Sequence, residues 1–175
     1  MSKLIVLVGK AGSGKTAIAK ELKEQYGGVV ISFATPIRDM FYALGLTEQH
    51  LKGDLKEVPC DILSGATPRY AMQTLGKEWA RDFIHKDFWI NIWQRKVEHN
   101  LQRKFVVITD DCRFANEEEA VRDLGGIIIR IHRDIREIET ASHASESYID
   151  KIKEDFNVDN NRPVIEVVND ILGLI

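Results

Sequence analysis

The chain has 175 residues, of which 44% are hydrophobic, which is enough for one well-packed domain and too little for two. The net charge of −3 and the pI near 6.0 exclude the basic surface typical of nucleic-acid-binding domains, so we expect no nucleic-acid partner. The first apolar run has five residues, too short for a signal sequence or a membrane span, and Cys60 and Cys112 lack metal-ligand spacing. We therefore expect a cytoplasmic protein with free thiols that does not bind membranes.

Residues 9–16 read Gly-Lys-Ala-Gly-Ser-Gly-Lys-Thr and fit the pattern GxxxxGK(S/T). They follow the apolar strand pattern of Leu4–Val8 and precede a helical pattern over 15–26. The glycines let successive N–H groups point inward and the helix N-terminus adds partial positive charge, so the stretch predicts a cradle for nucleoside triphosphate phosphates. We expect Lys15 to reach the β- and γ-phosphates and the Thr16 hydroxyl to bind magnesium. The other phosphate contacts are expected from Gly9, Ala11, Gly12, Ser13 and Gly14.

Between this loop and residue 101, the sequence predicts one short strand and three helices. Two of the helices begin with proline in the first turn, and two begin with a polar capping residue. In chain order the expected elements are a strand at 29–32 and helices at 36–45, 68–83 and 88–101. Residues 46–66 are polar and irregular and predict a mobile excursion with room for a short helix. The side chains expected on the apolar helix faces are Ile37, Met40, Phe41, Leu44, Met72, Leu75, Trp79, Phe83, Trp89 and Trp93.

The second half of the chain alternates between strand and helix patterns. The expected strands are 104–109, 127–131 and 156–158, and the expected helices are 116–124, 145–154 and a last one that begins near Pro163. The whole alternation predicts an α/β fold, a doubly wound sheet of five parallel strands with helices on both faces. Such sheets bind ligands at the carboxyl ends of their strands. The glycine-rich loop, the Asp110–Arg113 cluster and the Arg133 region all fall at such ends.

Charged residues at these strand ends are candidates for phosphate chemistry. Phosphoryl transfer between two anions needs several cations, and arginine binds phosphate oxygens in pairs. The candidates are Arg38, Arg69, Arg81, Arg113, Arg133 and Arg136. For Arg113 the alternative is a surface salt bridge. For Arg133 and Arg136, which suit a flap over the nucleotide, the alternative is a solvated loop.

Several other side chains allow two interpretations each. Asp110 and Asp111 suit magnesium, its water shell or a sugar hydroxyl, and capping of the next helix is the alternative. Trp89 and Trp93 are spaced as core residues, while Trp89 is also a candidate for substrate contact. Glu117 either binds substrate or stabilises a helix start through the dipole. His143 either contacts substrate or has a structural polar role.

Several segments resemble, in the right order, the bacteriophage-type deoxynucleoside monophosphate kinases. The most specific are the Asp-x-Arg-Phe-x-Asn-Glu pattern that begins at Asp111 and the Thr-Pro-Arg…Gln…Gly helix that begins at Thr67. Cys112 and Ala115 stand where family versions often have valine and proline, and both changes leave the polar residues in place. The matching stretches, which cover most of the chain, are Gly9-Lys-Ala-Gly-Ser-Gly-Lys15, Phe33-Ala-Thr-Pro-Ile-Arg38, Thr67-Pro-Arg-Tyr-Ala-Met-Gln-Thr-Leu-Gly76, Ala80-Arg81, Asp87-Phe-Trp89, Thr109-Asp-Asp-Cys-Arg-Phe-Ala-Asn-Glu117, Gly125-Gly126 and His143-Ala-Ser-Glu146.

The resemblance implies a three-layer P-loop kinase fold in one domain, 1–175, with a helical monophosphate-binding insertion at about 34–100 and a lid at about 132–146. It implies transfer of the γ-phosphate of ATP, with magnesium, to a deoxynucleoside monophosphate, in the host cytoplasm for a phage-encoded protein. Catalytic roles are expected for Lys15, Asp111, Arg113 and Arg133. Acceptor binding is expected from Arg38, Arg69, Gln73, Trp89, Asp111, Arg113 and Glu117. Arg133 and Arg136 are expected to join the loop at the nucleotide, and Thr16 and Asp110 to bind the metal.

Direct in-line transfer would need no general base, because a monophosphate oxygen is already anionic at neutral pH. One alternative is another small-molecule P-loop kinase, of the dephospho-coenzyme A or phosphomevalonate type. Another is an NTP-driven switch, for which Asp110-Asp111 is a partial match to motor ATPases, although the Asn-Lys-x-Asp motif of switch GTPases is absent from the sequence. The accepted bases, the choice between deoxyribose and ribose, and a homodimer all stay open at this stage.

Overall fold

A computed structural model of the protein describes residues 3–134 and 146–175. The chain divides into two compact units. The sheet unit contains the residues up to Ser32 and those from Gln94 onward, and the helical unit is Phe33–Trp93. Among the described residues, no helix is both long enough and apolar enough to cross a membrane.

The sheet unit is built on five parallel strands, as the sequence predicts. They are β1 (Leu4–Val8), β2 (Gly28–Val30), β3 (Val106–Thr109), β4 (Ile127–His132) and β5 (Phe156–Asp159). In space they lie in the order β2-β3-β1-β4-β5, so the first strand of the chain lies at the centre. Val6 is paired with Thr109 on one side and with Ile128 on the other. The central strand is apolar throughout because both of its faces are covered.

Helices cover both faces of this sheet, which confirms the predicted three-layer α/β class. The helices of the sheet unit that the structure describes are α1 (Lys15–Tyr26), α6 (Ala115–Asp123), α7 (Glu146–Ile149) and α8 (Val164–Leu174). Ile18 of α1 and Ile171 of α8 belong to one apolar cluster with Ile5 of β1. On the other face, a Cβ at Gly126 would meet Leu4 at 2.9 Å and Val121 of α6 at 2.6 Å. Close packing of α6 on β1 therefore requires glycine at this point.

The helix expected at 145–154 is wrong in length, because α7 ends at Ile149. Arg130, which interrupts β4, is 8% exposed and donates to the carbonyl oxygens of Ile149 (3.1 Å) and Ile152 (2.6 Å) and to Glu154 Oε2 (2.9 Å). The N–H groups of a buried guanidinium need hydrogen-bond acceptors. Here the end of α7 and the irregular segment after it supply them. Ser145 lies outside the described residues.

The helical unit follows the predicted order of elements, with differences in detail. Residues 46–66 form three short helical segments where a largely irregular excursion is expected. Thr67 caps the next helix as predicted, since its hydroxyl accepts from the N–H of Tyr70 at 3.2 Å. The elements are α2 (Thr35–Ala43), α3 (Glu48–Leu51), 3-10 turns at Asp54–Glu57 and Asp61–Leu63, α4 (Pro68–Thr74), a π-helix at Leu75–Ile84 and α5 (Phe88–Gln102), whose second half continues into the sheet unit.

The apolar faces of these helices are partly wrong in the sequence prediction. Met40 and Leu44 are 41% and 61% exposed, while Phe41 is buried. In the π-helix, Phe83 is 83% exposed and Ala80 is fully buried. The prediction assumes 3.6 residues per turn, whereas a π-helix bonds residue i to i+5 and so turns a different set of side chains toward the core. The bond from the His85 N–H to the Ala80 carbonyl (2.9 Å) has this spacing.

The Arg130–Glu154 contact predicts a pH-dependent contribution to stability. The hydrogen bond from Arg130 lowers the pKa of Glu154, so the contact stabilises the fold above the pKa of the unfolded chain, about 4.3, and loses its effect as the pH falls through the lower folded value. We expect Glu154→Gln to reduce the free energy of unfolding by about 1–2 kcal/mol at pH 7, and the difference from wild type to shrink below about pH 4. Urea unfolding at several pH values measures it.

Glu98→Gln, an exposed change on α5, is the matched control and should alter stability little at any pH. A loss in Glu154→Gln that stays constant down to pH 3 would contradict the assignment.

Candidate active site

The glycine-rich loop leaves the end of β1 with positive φ at Gly9, Gly12 and Gly14, and at two of these positions a side chain would also clash. Gly9 has φ 150°, and a Cβ there would lie 2.5 Å from the Ile131 carbonyl oxygen. Gly14 has φ 91°, and a Cβ there would lie 2.2 Å from Asn160 Nδ2. A side chain at Gly9 would clash with β4, and one at Gly14 would clash with the residue that follows β5. The loop can therefore pass this close to the two strand ends only if both positions are glycine. The loop then leads directly into α1 at Lys15.

The Lys15 ammonium lies over its own loop. It donates to the carbonyl oxygens of Gly9 (2.7 Å) and Lys10 (2.8 Å) and to Ser13 Oγ (3.2 Å). A positive charge is thus held where the N-terminus of a 12-residue helix also presents partial positive charge. This combination suits a phosphate group.

The side chains of Thr16 and Asp110 are brought together from separate parts of the chain. The Thr16 hydroxyl donates to Asp110 Oδ2 at 2.9 Å, because β1 and β3 are neighbours and Asp110 directly follows β3. The Ser32 hydroxyl donates to the other carboxylate oxygen, Oδ1, at 2.7 Å. Asp110 is therefore the aspartate of the pair that binds the Thr16 hydroxyl.

The oxygen donors of Thr16 and Asp110 fit magnesium, which prefers carboxylate and hydroxyl oxygens and keeps much of its shell as water and phosphate. Within 3–134 and 146–175, no group of three or more His, Cys, Asp or Glu side chains could hold a metal. A cation here would take the rest of its shell from water and from phosphate oxygens.

The turn between β3 and α6 is organised by a buried carboxylate. Glu117 is 2% exposed and accepts from the backbone N–H groups of Arg113 (2.8 Å) and Phe114 (3.3 Å). It therefore shapes the turn that carries Arg113, whose own side chain is exposed, and Asp111, which is half-buried. Burial raises the pKa of the Cys112 thiol, so this side chain is a neutral part of the core. Contacts of Glu117, Asp111 and Arg113 with substrate stay predictions.

The remaining acceptor candidates belong to the helical unit. Arg38 is half-buried on α2, Gln73 is exposed on α4, and the Arg69 guanidinium is paired with Glu57. The ion pair keeps Arg69 at the surface of α4, where an anion could replace the carboxylate. Their contact with an acceptor stays a prediction.

Trp89 lies in the core of the helical unit. It is 2% exposed, its indole N–H donates to the Gly76 carbonyl at 2.8 Å, and its ring meets Phe88 edge-on at 4.9 Å. Trp93 is fully buried and stacks on Phe33 at 4.3 Å, as its core interpretation predicts. A substrate contact by Trp89 stays a prediction, and it would require this cluster to open.

Part of the predicted lid, 132–146, lies outside the described residues. Arg133 is exposed directly after β4, at the carboxyl end of a strand as expected. Arg136 and His143 lie outside the described residues, so their roles stay predictions.

The sequence interpretation missed two polar residues, Asn160 and Ser32. Asn160 is 4% exposed, its side-chain Nδ2 donates to the Ser13 carbonyl at 2.7 Å, and its N–H donates to the His132 carbonyl at 2.7 Å. It directly follows β5, as Asp110 follows β3. The rule that singled out Asp110, a polar residue just past a strand end, would also have found Asn160.

Three comparisons relate the chain to known proteins. The sequence profile of the family described as deoxynucleotide monophosphate kinase matches residues 46–171. A protein of Acanthamoeba polyphaga mimivirus, provisionally named a deoxynucleotide monophosphate kinase, is 33% identical over 98% of this chain and 95% of its own length.

Among solved structures, shikimate kinase from Aquifex aeolicus aligns with a TM-score of 0.53 at 17% identity, over 96% of this chain and 93% of its own. A protein of Chloroflexus aurantiacus, provisionally named a kinase, aligns with a TM-score of 0.55 at 14% identity, over 99% and 98% of the two chains. At these identities the likeness shows the fold alone, which is that of the P-loop kinases.

The contact between Asn160 and the loop predicts an energetic coupling. We expect Gly14→Ala to lower the free energy of unfolding by about 3 kcal/mol, because it adds a clash with Asn160 to the cost of left-handed backbone, about 1–2 kcal/mol. Gly27→Ala is the matched control, since Gly27 also has positive φ (67°) but a Cβ there would meet nothing within 4 Å. Gly27→Ala should lower the free energy of unfolding only by the cost of left-handed backbone, about 1–2 kcal/mol.

The double variant Gly14→Ala/Asn160→Ala should cost less than the sum of its single changes, because removing the amide relieves the clash. Urea unfolding of the four variants measures this. Additive costs, or a Gly14→Ala cost no larger than that of Gly27→Ala, would show that the contact has no energetic role.

Proposed function

The chain belongs to the deoxynucleotide monophosphate kinase family, and we propose on this basis that it transfers the γ-phosphoryl group of ATP to a deoxynucleoside monophosphate. The observation that carries the proposal is the meeting of the glycine-rich loop, Lys15, Thr16 and Asp110 at the carboxyl ends of β1 and β3. Kinase chemistry of this kind needs a phosphate cradle and a metal-binding oxygen pair at one place. The proposed substrates are cytoplasmic metabolites, so we propose that location for the protein.

On the donor side, the backbone N–H groups of the loop and the Lys15 ammonium would bind the phosphates of ATP. Lys15 now donates to the carbonyl oxygens of Gly9 and Lys10, and a phosphate oxygen would be a stronger, charged acceptor. Thr16 and Asp110 would hold magnesium, which when bound neutralises charge on the triphosphate. The Thr16 hydroxyl proton already points to Asp110, so its oxygen lone pairs stay available to a cation.

On the acceptor side, Arg38, Arg69 and Gln73 of the helical unit would bind the monophosphate, with Trp89 supporting that region from the core. Two or three guanidinium groups suit a dianionic phosphate because each offers two parallel N–H donors. Asp111 and Glu117 of the sheet unit would contact the nucleoside. Glu117 would also hold the turn that carries Asp111 and Arg113 in shape. Arg113 and the lid residues Arg133 and Arg136 would neutralise charge on the transferring group and exclude water.

An acceptor screen tests the proposal directly. The purified protein is incubated with ATP, Mg²⁺ and each of dTMP, dGMP, dCMP, dAMP and their ribose forms, and ADP is measured by a coupled assay. We expect at least one deoxynucleoside monophosphate to raise ADP formation well above the rate with ATP alone. Stimulation only by dephospho-coenzyme A or phosphomevalonate would favour another small-molecule kinase, and ADP formation that no acceptor stimulates would favour an NTP-driven switch.

Removal of the loop ammonium should abolish transfer while the fold is retained. We expect Lys15→Ala to reduce kcat at least a hundredfold, about the loss seen when a group that stabilises transition-state charge is removed. Lys20→Ala, which removes an exposed lysine of the same helix, is the matched control. Near-normal turnover by a folded Lys15→Ala protein would refute the role of the loop.

The Arg69 side chain should contribute to binding of the monophosphate acceptor and not to binding of ATP. We expect Arg69→Ala to raise KM for the monophosphate by about tenfold or more, because a charged hydrogen-bond pair is lost, and to leave KM for ATP nearly unchanged. Arg95→Ala, an exposed change on α5, is the matched control. Glu57→Gln removes the competing carboxylate and should not raise KM for the monophosphate. An equal rise of both KM values in Arg69→Ala would contradict the assignment.

A further inference from the structure

Both oxygens of the Asp110 carboxylate accept a hydroxyl hydrogen bond. One comes from Thr16 in the first turn of α1, and the other comes from Ser32, two residues past the end of β2. The bond from Ser32 is the shorter of the two, at 2.7 Å against 2.9 Å, and Ser32 is only 4% exposed, so water competes little for it.

The backbone that carries Ser32 is itself fixed against β3. The Ile31 N–H donates to the Ile108 carbonyl at 2.9 Å, and the Thr109 hydroxyl donates to the Ile31 carbonyl at 2.8 Å. Thr109 is fully buried and directly precedes Asp110. The Ser32 hydroxyl therefore reaches Asp110 from a segment that is tied to β3 through both backbone groups of Ile31.

This arrangement determines the plane of the Asp110 carboxylate. Rotation about the last side-chain torsion of an aspartate is soft, so one hydrogen bond leaves a wide range of orientations, whereas two bonds on opposite oxygens leave a narrow one. Thr16 alone would leave the plane poorly defined, since its hydroxyl binds only one of the two carboxylate oxygens. The second hydrogen bond comes from Ser32, which follows β2 on the other side of β3 from β1.

We propose that Ser32 is a positioning residue of the metal site, which orients Asp110 so that a divalent cation held with Thr16 and nucleotide phosphate is bound tightly. The proposal rests on the proposed function, because it presupposes a nucleotide in the loop. Ser32 acts through Asp110 and does not touch the nucleotide. Its loss should therefore weaken binding of the metal to the protein–nucleotide complex and leave metal-free nucleotide binding unchanged.

Manganese binding to the full-length protein measures this without turnover. Mn²⁺ is titrated into protein saturated with the non-hydrolysable analogue AMP-PNP, and free Mn²⁺ is read by electron paramagnetic resonance. We expect Ser32→Ala to raise the Kd for Mn²⁺ about tenfold, the usual loss when a group that hydrogen-bonds to a metal-binding side chain is removed. The Kd for AMP-PNP in EDTA, measured by calorimetry, should not change.

Thr67→Ala is the control, because it removes a half-buried hydroxyl that caps α4 by accepting from the Tyr70 N–H and that takes no part in holding Ser32 or Asp110. It should lower the melting temperature without changing the Kd for Mn²⁺. Ser32→Thr keeps the hydroxyl and should retain tight Mn²⁺ binding. In an Asp110→Asn background, Ser32→Ala should have no further effect, since the carboxylate through which Ser32 acts is already gone.

A folded Ser32→Ala protein with wild-type affinity for Mn²⁺ would overturn the inference and leave the proposed function standing. So would an equal loss in Thr67→Ala, or a full further loss on the Asp110→Asn background, because either result would mean that Ser32→Ala does not act through the orientation of Asp110. Wild-type protein that binds no AMP-PNP in either buffer would refute the proposed function, and the inference with it.

Discussion

The pairing of β1 with β3 in a parallel sheet is the constraint on which the site depends. Because these strands are neighbours and point the same way, the loop after β1 and the aspartate after β3 emerge at one edge and come within 2.9 Å. The pairing of β2 with β3 brings Ser32 to the same carboxylate from the other side. All five residues of β1 are buried, so a slip in its register would bring the flanking Lys3 or Gly9 into a buried position of the sheet. The geometry of the polar groups is thus held by apolar packing.

Buried polar side chains convert that scaffold into defined loops. Asn160, at the end of β5, donates to a carbonyl of the glycine-rich loop, and Glu117 accepts from backbone N–H groups in the turn before α6. Arg130 donates to carbonyl oxygens at the end of α7 and in the segment after it. Each bonds mainly to backbone groups that no strand or helix satisfies. Within the described parts of the chain, no buried side-chain polar atom lacks a partner. Unpaired groups in such positions would cost more than the bonds contribute, so these side chains select one loop conformation among many.

The π-helix has a similar explanation in the helical unit. A stretch of i→i+5 bonds is less favourable than an α-helix and persists only where its surroundings require it. Here the indole N–H of Trp89 bonds to the Gly76 carbonyl, and Trp79 lies 5.6 Å from Phe88 and 6.4 Å from Trp89 in one aromatic cluster. The wider turn occurs together with these aromatic contacts, and in it Ala80 and not Phe83 faces the core.

The sequence by itself determined the elements and the candidate residues. Apolar runs, glycine and proline signals and the GxxxxGK(S/T) spacing predict the five strands, most helices, and Lys15, Thr16 and Asp110, because these depend on local periodicity and on chemistry that few residue types supply. Only the tertiary structure decided the spatial order of the strands, the choice of Asp110 over Asp111 as partner of Thr16, and the contacts of Ser32 and Asn160. These contacts join residues up to 147 positions apart in the chain, and no local pattern encodes which distant side chain will meet which.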